Sequence, residues 1–162
     1  MENYYKKNEY KFNDWPLTFE TGKTAKRANS SIWLQYGRMV LLAAITINEE
    51  TISELPYLPL SVTYIEKDYA RGIISGSASK RETPATLPQI LISRLTDRSI
   101  RPLFPEFYRN ETNLEIILLS NDPAMPPDTM TLTAASLALT LSAAPYSTQI
   151  AGVRIAKKDG IF

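Results

Sequence analysis

Alternation of apolar and polar positions in the first half of the chain predicts β-strands. The predicted strands are residues 17–20, 31–36, 39–47 and 60–65. The second and third of these are rich in β-branched and aromatic residues and are separated only by Gly37 and Arg38, which predicts a hairpin. Residues 72–86 contain mainly glycine, serine, proline and basic residues, which is typical of a loop.

The pattern then changes to one that favours a helix over residues 87–99. Thr86 is the expected N-cap, Gln89 is its capping-box partner, and Pro88 lies in the first turn, where a missing N–H costs nothing. The nearly continuous apolar run at residues 114–119 predicts a strand buried on both faces.

Small and uncharged residues dominate 129–142, which predicts a second helix, with Asp128 as N-cap, covered on most sides. Residues 150–156 are expected to form a strand, and Lys158, Asp159 and Gly160 a hairpin turn. Because only two residues follow that turn, we expect a portion of a longer chain. Together these elements predict an α/β fold, with an α+β mixed sheet.

Composition narrows the possible chemistry. The 162 residues are 44% hydrophobic, enough for a packed core, and contain neither Cys nor His. Disulfides, thiolate nucleophiles, iron–sulfur clusters and His-containing catalytic triads are therefore excluded. The longest uncharged run, 129–153, is interrupted by Pro145 short of the ~20 apolar residues that a membrane helix needs. We expect a soluble, cytoplasmic protein without a membrane partner.

Charge is concentrated in one region although the whole chain has a net charge of only +1. Residues 78–101 contain two acidic residues, Glu82 and Asp97, and five basic ones: Lys80, Arg81, Arg94, Arg98 and Arg101. At about 100° per residue, the three arginines share one narrow stripe of the predicted helix. Arginine binds phosphate bidentately, so the stripe predicts a phosphate-binding surface. The alternative is that these arginines form internal ion pairs with the two acidic residues.

Two aspartates are the other candidates for chemistry. Asp122 and Asp128 flank a proline-rich turn at a spacing that suits Mg²⁺. Turn formation and helix capping are the commoner uses of such residues, so we predict no metal site. Gly72 and Gly76 match no P-loop or dinucleotide-binding pattern.

The motif Ile-Ser-Arg-Leu-Thr-Asp-Arg-Ser-Ile-Arg-Pro-Leu-Phe-Pro at residues 92–105 closely resembles bacterial polynucleotide phosphorylases, in the first of their ribonuclease PH-like domains. The resemblance extends in one register from about residue 12 to the end. It includes residues 20–25, 58–67, 134–139 and 152–155.

The resemblance implies a ribonuclease PH-like fold, incomplete at its C-terminus, in a homotrimer that handles single-stranded RNA rather than DNA. The whole enzyme shortens RNA from its 3′ end with phosphate and Mg²⁺ and releases nucleoside diphosphates. Positions matching the RNA contacts of the family are again Lys80, Arg81, Arg94, Arg98 and Arg101. Two aromatic residues that precede the basic pair in the family are Ala78 and Ser79 here, which removes a surface for base stacking.

We therefore predict that residues 1–162 are the N-terminal portion of the first ribonuclease PH-like domain, with residues 1–11 as a polar leader. The catalytic residues of the family lie in its second such domain, so we predict no catalytic residue and no cofactor for this chain. Its expected role is to guide RNA and to support trimerisation. The alternative is a structural or assembly module, or a truncated remnant, that does not bind RNA itself.

Overall fold

Six strands and two α-helices account for the regular structure in a computed structural model that describes residues 5–51, 56–74 and 85–161. The strands are β1 (Lys6–Phe12), β2 (Trp15–Thr21), β3 (Ser30–Tyr36), β4 (Met39–Thr51), β5 (Leu60–Glu66) and β6 (Asn110–Ser120). The α-helices are α1 (Leu87–Ile100) and α2 (Pro127–Thr140), and short 3₁₀ turns cover Asp68–Arg71 and Arg101–Leu103.

The strands form one sheet in the order β1-β2-β3-β4-β6-β5. β1 to β4 are an antiparallel meander, β6 is antiparallel to β4, and β5 is parallel to β6. Two parallel strands require a crossover, and α1 provides it. As a result β6 lies inside the sheet and β5 forms one edge of it.

The core lies on the face of the sheet that α2 covers. α2 packs on β3, β4 and β6, whereas α1 packs on β5 and touches α2. Leu34, Leu41, Ile45, Ile116 and Leu118 of the central strands are fully buried there. The predicted mixed α/β fold is confirmed, and so are the hairpin at Gly37 and the position of α1. In the described part of the chain, no helix is long and apolar enough to cross a membrane.

Strand β6 differs from its prediction because it is buried on one face only. Leu114, Ile116 and Leu118 face the core, whereas Glu115 is exposed and Ile117 is half-buried. In the described part of the chain the α-helices cover only one side of the sheet.

Helix α2 begins two residues earlier than predicted. Its N-cap is Pro126, and Asp128 lies in the first turn, where its carboxylate accepts a hydrogen bond from the Thr129 amide at 2.9 Å. The prediction that most of this helix is covered is confirmed, since Ala134, Ala135 and Leu139 are completely buried.

The two ends of the described chain also correct the predictions. Part of the predicted polar leader is an edge strand, β1, and residues 150–156 form no strand. The predicted turn is present: Lys158 and Ile161 exchange backbone hydrogen bonds of 2.9 Å, and Asp159 and Gly160 have φ angles of 50° and 84°.

Candidate nucleic-acid interface

Helix α1 carries most of the predicted site, and its start is fixed by the expected capping box. The Thr86 amide donates a 2.9 Å hydrogen bond to the Gln89 side chain, and Pro88 occupies the first turn. These contacts satisfy amides that have no partner within the helix. The helix therefore starts at a defined residue, which sets the direction of every side chain after it.

One side of α1 faces the free edge of β5 with polar side chains. Residues 89, 93, 97 and 101 follow one another at intervals of four and form what we call the polar stripe. The Tyr64 amide of β5 donates a 2.9 Å hydrogen bond to Ser93 Oγ, and Gln89 Nε2 donates a 3.5 Å hydrogen bond to the Glu66 carbonyl oxygen. Side chains of α1 thus take the place of a neighbouring strand at this edge.

Arg101 ends the polar stripe and makes four side-chain hydrogen bonds. Its Nε and Nη2 donate to the two carboxylate oxygens of Asp97 at 3.2 and 2.6 Å. Its Nη1 donates to the Leu58 carbonyl at 2.9 Å, and Nη2 also donates to the Leu60 carbonyl at 3.0 Å. The carbonyl between them, that of Pro59, accepts from β6 instead. Arg101 therefore binds the carbonyls that point away from the sheet.

The side of α1 that is turned away from its buried residues Thr96 and Ile100, which we call the outer face, is exposed and combines aliphatic with basic side chains. Leu87, Ile90, Leu91 and Leu95 are 68, 43, 57 and 49% exposed. Arg94 and Arg98 are exposed on the same face. Within residues 5–51, 56–74 and 85–161, neither arginine has a hydrogen-bond or ion-pair partner. Both guanidinium groups are available to a ligand.

The five predicted contact residues thus fall into three groups. Arg94 and Arg98 lie together on the outer face, as predicted from their spacing. Arg101 lies at the end of the same helix but is 39% exposed and paired with Asp97, as the alternative prediction proposed for it. Its side chain also lines an open cleft of about 490 Å³ together with Tyr57 and Phe104. Lys80 and Arg81 lie outside the described residues.

The two aspartates considered for a metal ion have arginine partners. Asp122 is 4% exposed on its side chain and binds Arg38 through two hydrogen bonds of 3.2 and 3.3 Å. The Ala124 amide and then Arg38 lower the pKa of Asp122 below its ordinary value. Asp128 binds Arg154 at 2.8 Å. Across the described ranges no three acidic side chains are grouped to hold a metal ion. These residues therefore do not fit the Mg²⁺ that the resemblance implies for the whole enzyme.

Sequence reasoning did not identify Gln89 and Ser93 as part of this arrangement. The sequence pattern predicts only the capping-box role for Gln89 and no contact for Ser93. The available signal was their spacing, since polar residues recur every four positions up to Arg101. That period marks one side of a helix.

Comparison with known proteins agrees with the motif at residues 92–105. Residues 15–145 match the model of the 3′ exoribonuclease family, domain 1. The chain belongs to this family. It is 43% identical over 159 residues to a polyribonucleotide nucleotidyltransferase of Thermosipho melanesiensis, covering 94% of the chain and 23% of that protein. It is 46% identical over 145 residues to the Gemmatimonas aurantiaca enzyme, covering 90% of the chain and 20% of that protein.

The predicted resemblance to polynucleotide phosphorylases is confirmed, and the chain spans about a fifth of the length of these 3′ exoribonuclease family members. Solved structures agree on the fold. Rice Rrp46 superposes with a TM-score of 0.58 at 11% identity, over 90% of this chain and 58% of that one. An Archaeoglobus fulgidus exosome chain, solved with RNA bound to the active site, gives a TM-score of 0.56 at 18% identity, over 76% and 50% of the two chains.

Proposed function

We propose that this chain guides single-stranded RNA along the outer face of α1, as the N-terminal portion of a cytoplasmic polynucleotide phosphorylase. The observation that carries the proposal is the pair of exposed arginines, Arg94 and Arg98, that have no partner among the described residues. An exposed guanidinium remains charged at every physiological pH and binds two phosphate oxygens at once.

The spacing of the two arginines suits a phosphate backbone. Residues four apart on a helix lie about 6 Å from each other along its axis, close to the distance between neighbouring phosphates of an extended single strand. Contacts with phosphates carry no sequence information. RNA of any sequence would therefore be held in the same way.

The family resemblance supports the other parts of this proposal, which concern further basic residues, the place of catalysis and the homotrimer. Lys80 and Arg81, which precede α1 in the sequence, match RNA contacts of the family and would add two positive charges for RNA. Phosphorolysis, with its Mg²⁺ and phosphate, would take place outside this chain, in a homotrimer of the longer enzyme. The aspartates Asp122 and Asp128, both paired with arginines, support the assignment of catalysis to another domain.

The test is the binding of a fluorescently labelled single-stranded RNA by fluorescence anisotropy across a salt series. Each phosphate contact on a single strand contributes about 0.7 to the slope of log K against log salt. We expect Arg94→Ala and Arg98→Ala each to reduce the magnitude of the slope by about 0.7. Arg27→Ala is the matched control, because it also removes one exposed arginine but lies in the connection between β2 and β3. Equal slopes in all four proteins would refute the proposal.

A second candidate function, an assembly module without RNA binding, is favoured by the exposed aliphatic residues of the outer face. Leu87 and Leu91 are more than half exposed, and contiguous exposed apolar surface marks interfaces with other proteins. Light scattering on the same material separates the two candidates. A particle of three times 18.2 kDa with no affinity for RNA would support assembly alone.

A further inference from the structure

We propose that Arg101 is a positioning residue for the RNA surface and not itself a phosphate contact. The inference rests on the proposed function of Arg94 and Arg98. The sequence motif predicts that Arg101 contacts RNA. In this proposal Arg101 instead fixes the end of α1 against β5 and binds the carboxylate of Asp97.

The guanidinium of Arg101 is nearly saturated. Arginine has five side-chain N–H groups, and four of those of Arg101 donate to the Asp97 carboxylate and to two backbone carbonyls. A bidentate phosphate contact needs two donors on one edge of the guanidinium. Arg101 has one N–H left, so it cannot bind a phosphate in this way without giving up bonds to β5 or Asp97.

The two carbonyls that Arg101 binds lie at one edge of the sheet. Leu60 is the first residue of the edge strand β5, and Leu58 precedes it by two residues. The Leu58 carbonyl also accepts a 2.9 Å hydrogen bond from the Leu60 amide, so Arg101 is its second donor. A buried or half-buried carbonyl that loses a donor costs free energy. Arg101 therefore ties the C-terminal end of α1 to the sheet, as Ser93 and Gln89 tie its middle and its start. The direction of the outer face depends on these ties.

Occupation of Asp97 has a second effect, on the charge of the outer face. Arg94 precedes Asp97 by three residues, and side chains at that spacing on a helix can reach each other. While Arg101 binds both oxygens of Asp97, that carboxylate is neutralised and Arg94 stays open. Without Arg101, Asp97 would be free to pair with Arg94 and would compete with RNA for it.

The test compares RNA binding across a salt series for Arg101→Ala, Arg101→Lys and the double variant Arg101→Ala/Asp97→Asn. We expect Arg101→Ala to bind RNA about 3- to 10-fold more weakly with the same salt slope as the wild type. Adding Asp97→Asn restores part of the affinity, because no free carboxylate then competes for Arg94. Arg101→Lys keeps the charge but cannot make the forked contact, so its affinity falls as well.

Two results would overturn the proposal. A slope reduced by about 0.7 in Arg101→Ala, as for a phosphate contact, would make Arg101 an RNA ligand. Wild-type affinity in Arg101→Lys would show that RNA binding does not need the forked contact, and this result contradicts the positioning role even where Arg101→Ala does not fold. Circular dichroism on each variant establishes that the folded protein is being measured, so a loss of stability alone does not count as a loss of affinity.

Failure of the proposed function would be seen in different variants, those of Arg94 and Arg98. If Arg94→Ala and Arg98→Ala leave the slope unchanged, the RNA surface is wrong whatever Arg101 does. Amide hydrogen exchange in α1 then still reports on Arg101 itself: faster exchange at the C-terminal end of α1 in Arg101→Lys supports its tie to β5, and wild-type exchange contradicts it.

Discussion

Ser93 offers the sharpest test of how α1 is attached to the sheet. Its hydroxyl accepts a 2.9 Å hydrogen bond from the Tyr64 amide and donates a 3.0 Å bond to the Gln89 carbonyl. Tyr64 is 1% exposed, so in a Ser93→Ala variant no water replaces the lost acceptor. A buried amide left without a partner costs about 1–3 kcal/mol.

The substitution also has a favourable contribution, because alanine has the higher helix propensity, by about 0.5 kcal/mol. The expected net effect is a loss of about 0.5–2.5 kcal/mol in the free energy of unfolding. Urea denaturation followed by circular dichroism measures it. With a denaturant dependence of about 2 kcal/mol per molar, the midpoint moves down by roughly 0.3–1.2 M.

Ser99→Ala is the matched control in the same helix. The Ser99 hydroxyl only donates to the Leu95 carbonyl one turn earlier, at 2.8 Å and on the exposed side. Its removal leaves no buried amide without an acceptor, so we expect a change of a few tenths of a kcal/mol at most, in either direction. If Ser93→Ala is as stable as Ser99→Ala, the side-chain hydrogen bonds of the polar stripe do not attach α1 to β5.

Two further predictions concern pH and packing. Asp122, whose pKa is lowered in the folded state, stabilises the fold above its ordinary pKa of 3.8 and loses that contribution as the pH falls through the lower folded value. Thermal denaturation from neutral pH downwards should therefore show the difference in Tm between wild type and Asp122→Asn closing only below pH 3.8; a constant difference would show that neither the Ala124 amide nor Arg38 favours the ionised carboxylate. A Cβ at Gly152 would lie 2.6 Å from the Thr129 carbonyl oxygen, so Gly152→Ala should speed tryptic cleavage at Arg154, whereas Ala151→Ser, at an exposed neighbour, should not.

Local signals predicted α1 well. Three signals indicate this helix: the capping box, the proline in the first turn and the four-residue spacing of arginines. Each depends only on residues within one or two helical turns, and the structure has the helix at the predicted position. The same spacing did not distinguish Arg94 from Arg101. That difference depends on β5, which lies about forty residues earlier in the chain, and on carbonyls whose direction only the sheet order determines.

The missed strand β1 and the open side of β6 have a related physical cause. Every residue of β1 is exposed, so the strand has no buried face to give an alternating pattern. The apolar run of β6 indicates burial on two faces, but whether a second layer covers the sheet is a property of the whole architecture. Asp128 was misplaced by two residues because Pro126, with its extended backbone, already ends the preceding turn.

The position of β6 in the middle of the sheet has a consequence for folding during synthesis. The meander β1 to β4 is complete once residue 51 has been made, but the second edge of β4 gains its partner only when β6, residues 110–120, has followed. At roughly 5–20 residues per second, the ribosome needs several seconds for that stretch. Throughout this interval an apolar strand has an unpaired edge, which is the situation in which nascent chains associate wrongly. The nascent chain is therefore most vulnerable to aggregation after the first four strands have formed and before the crossover through α1 is closed.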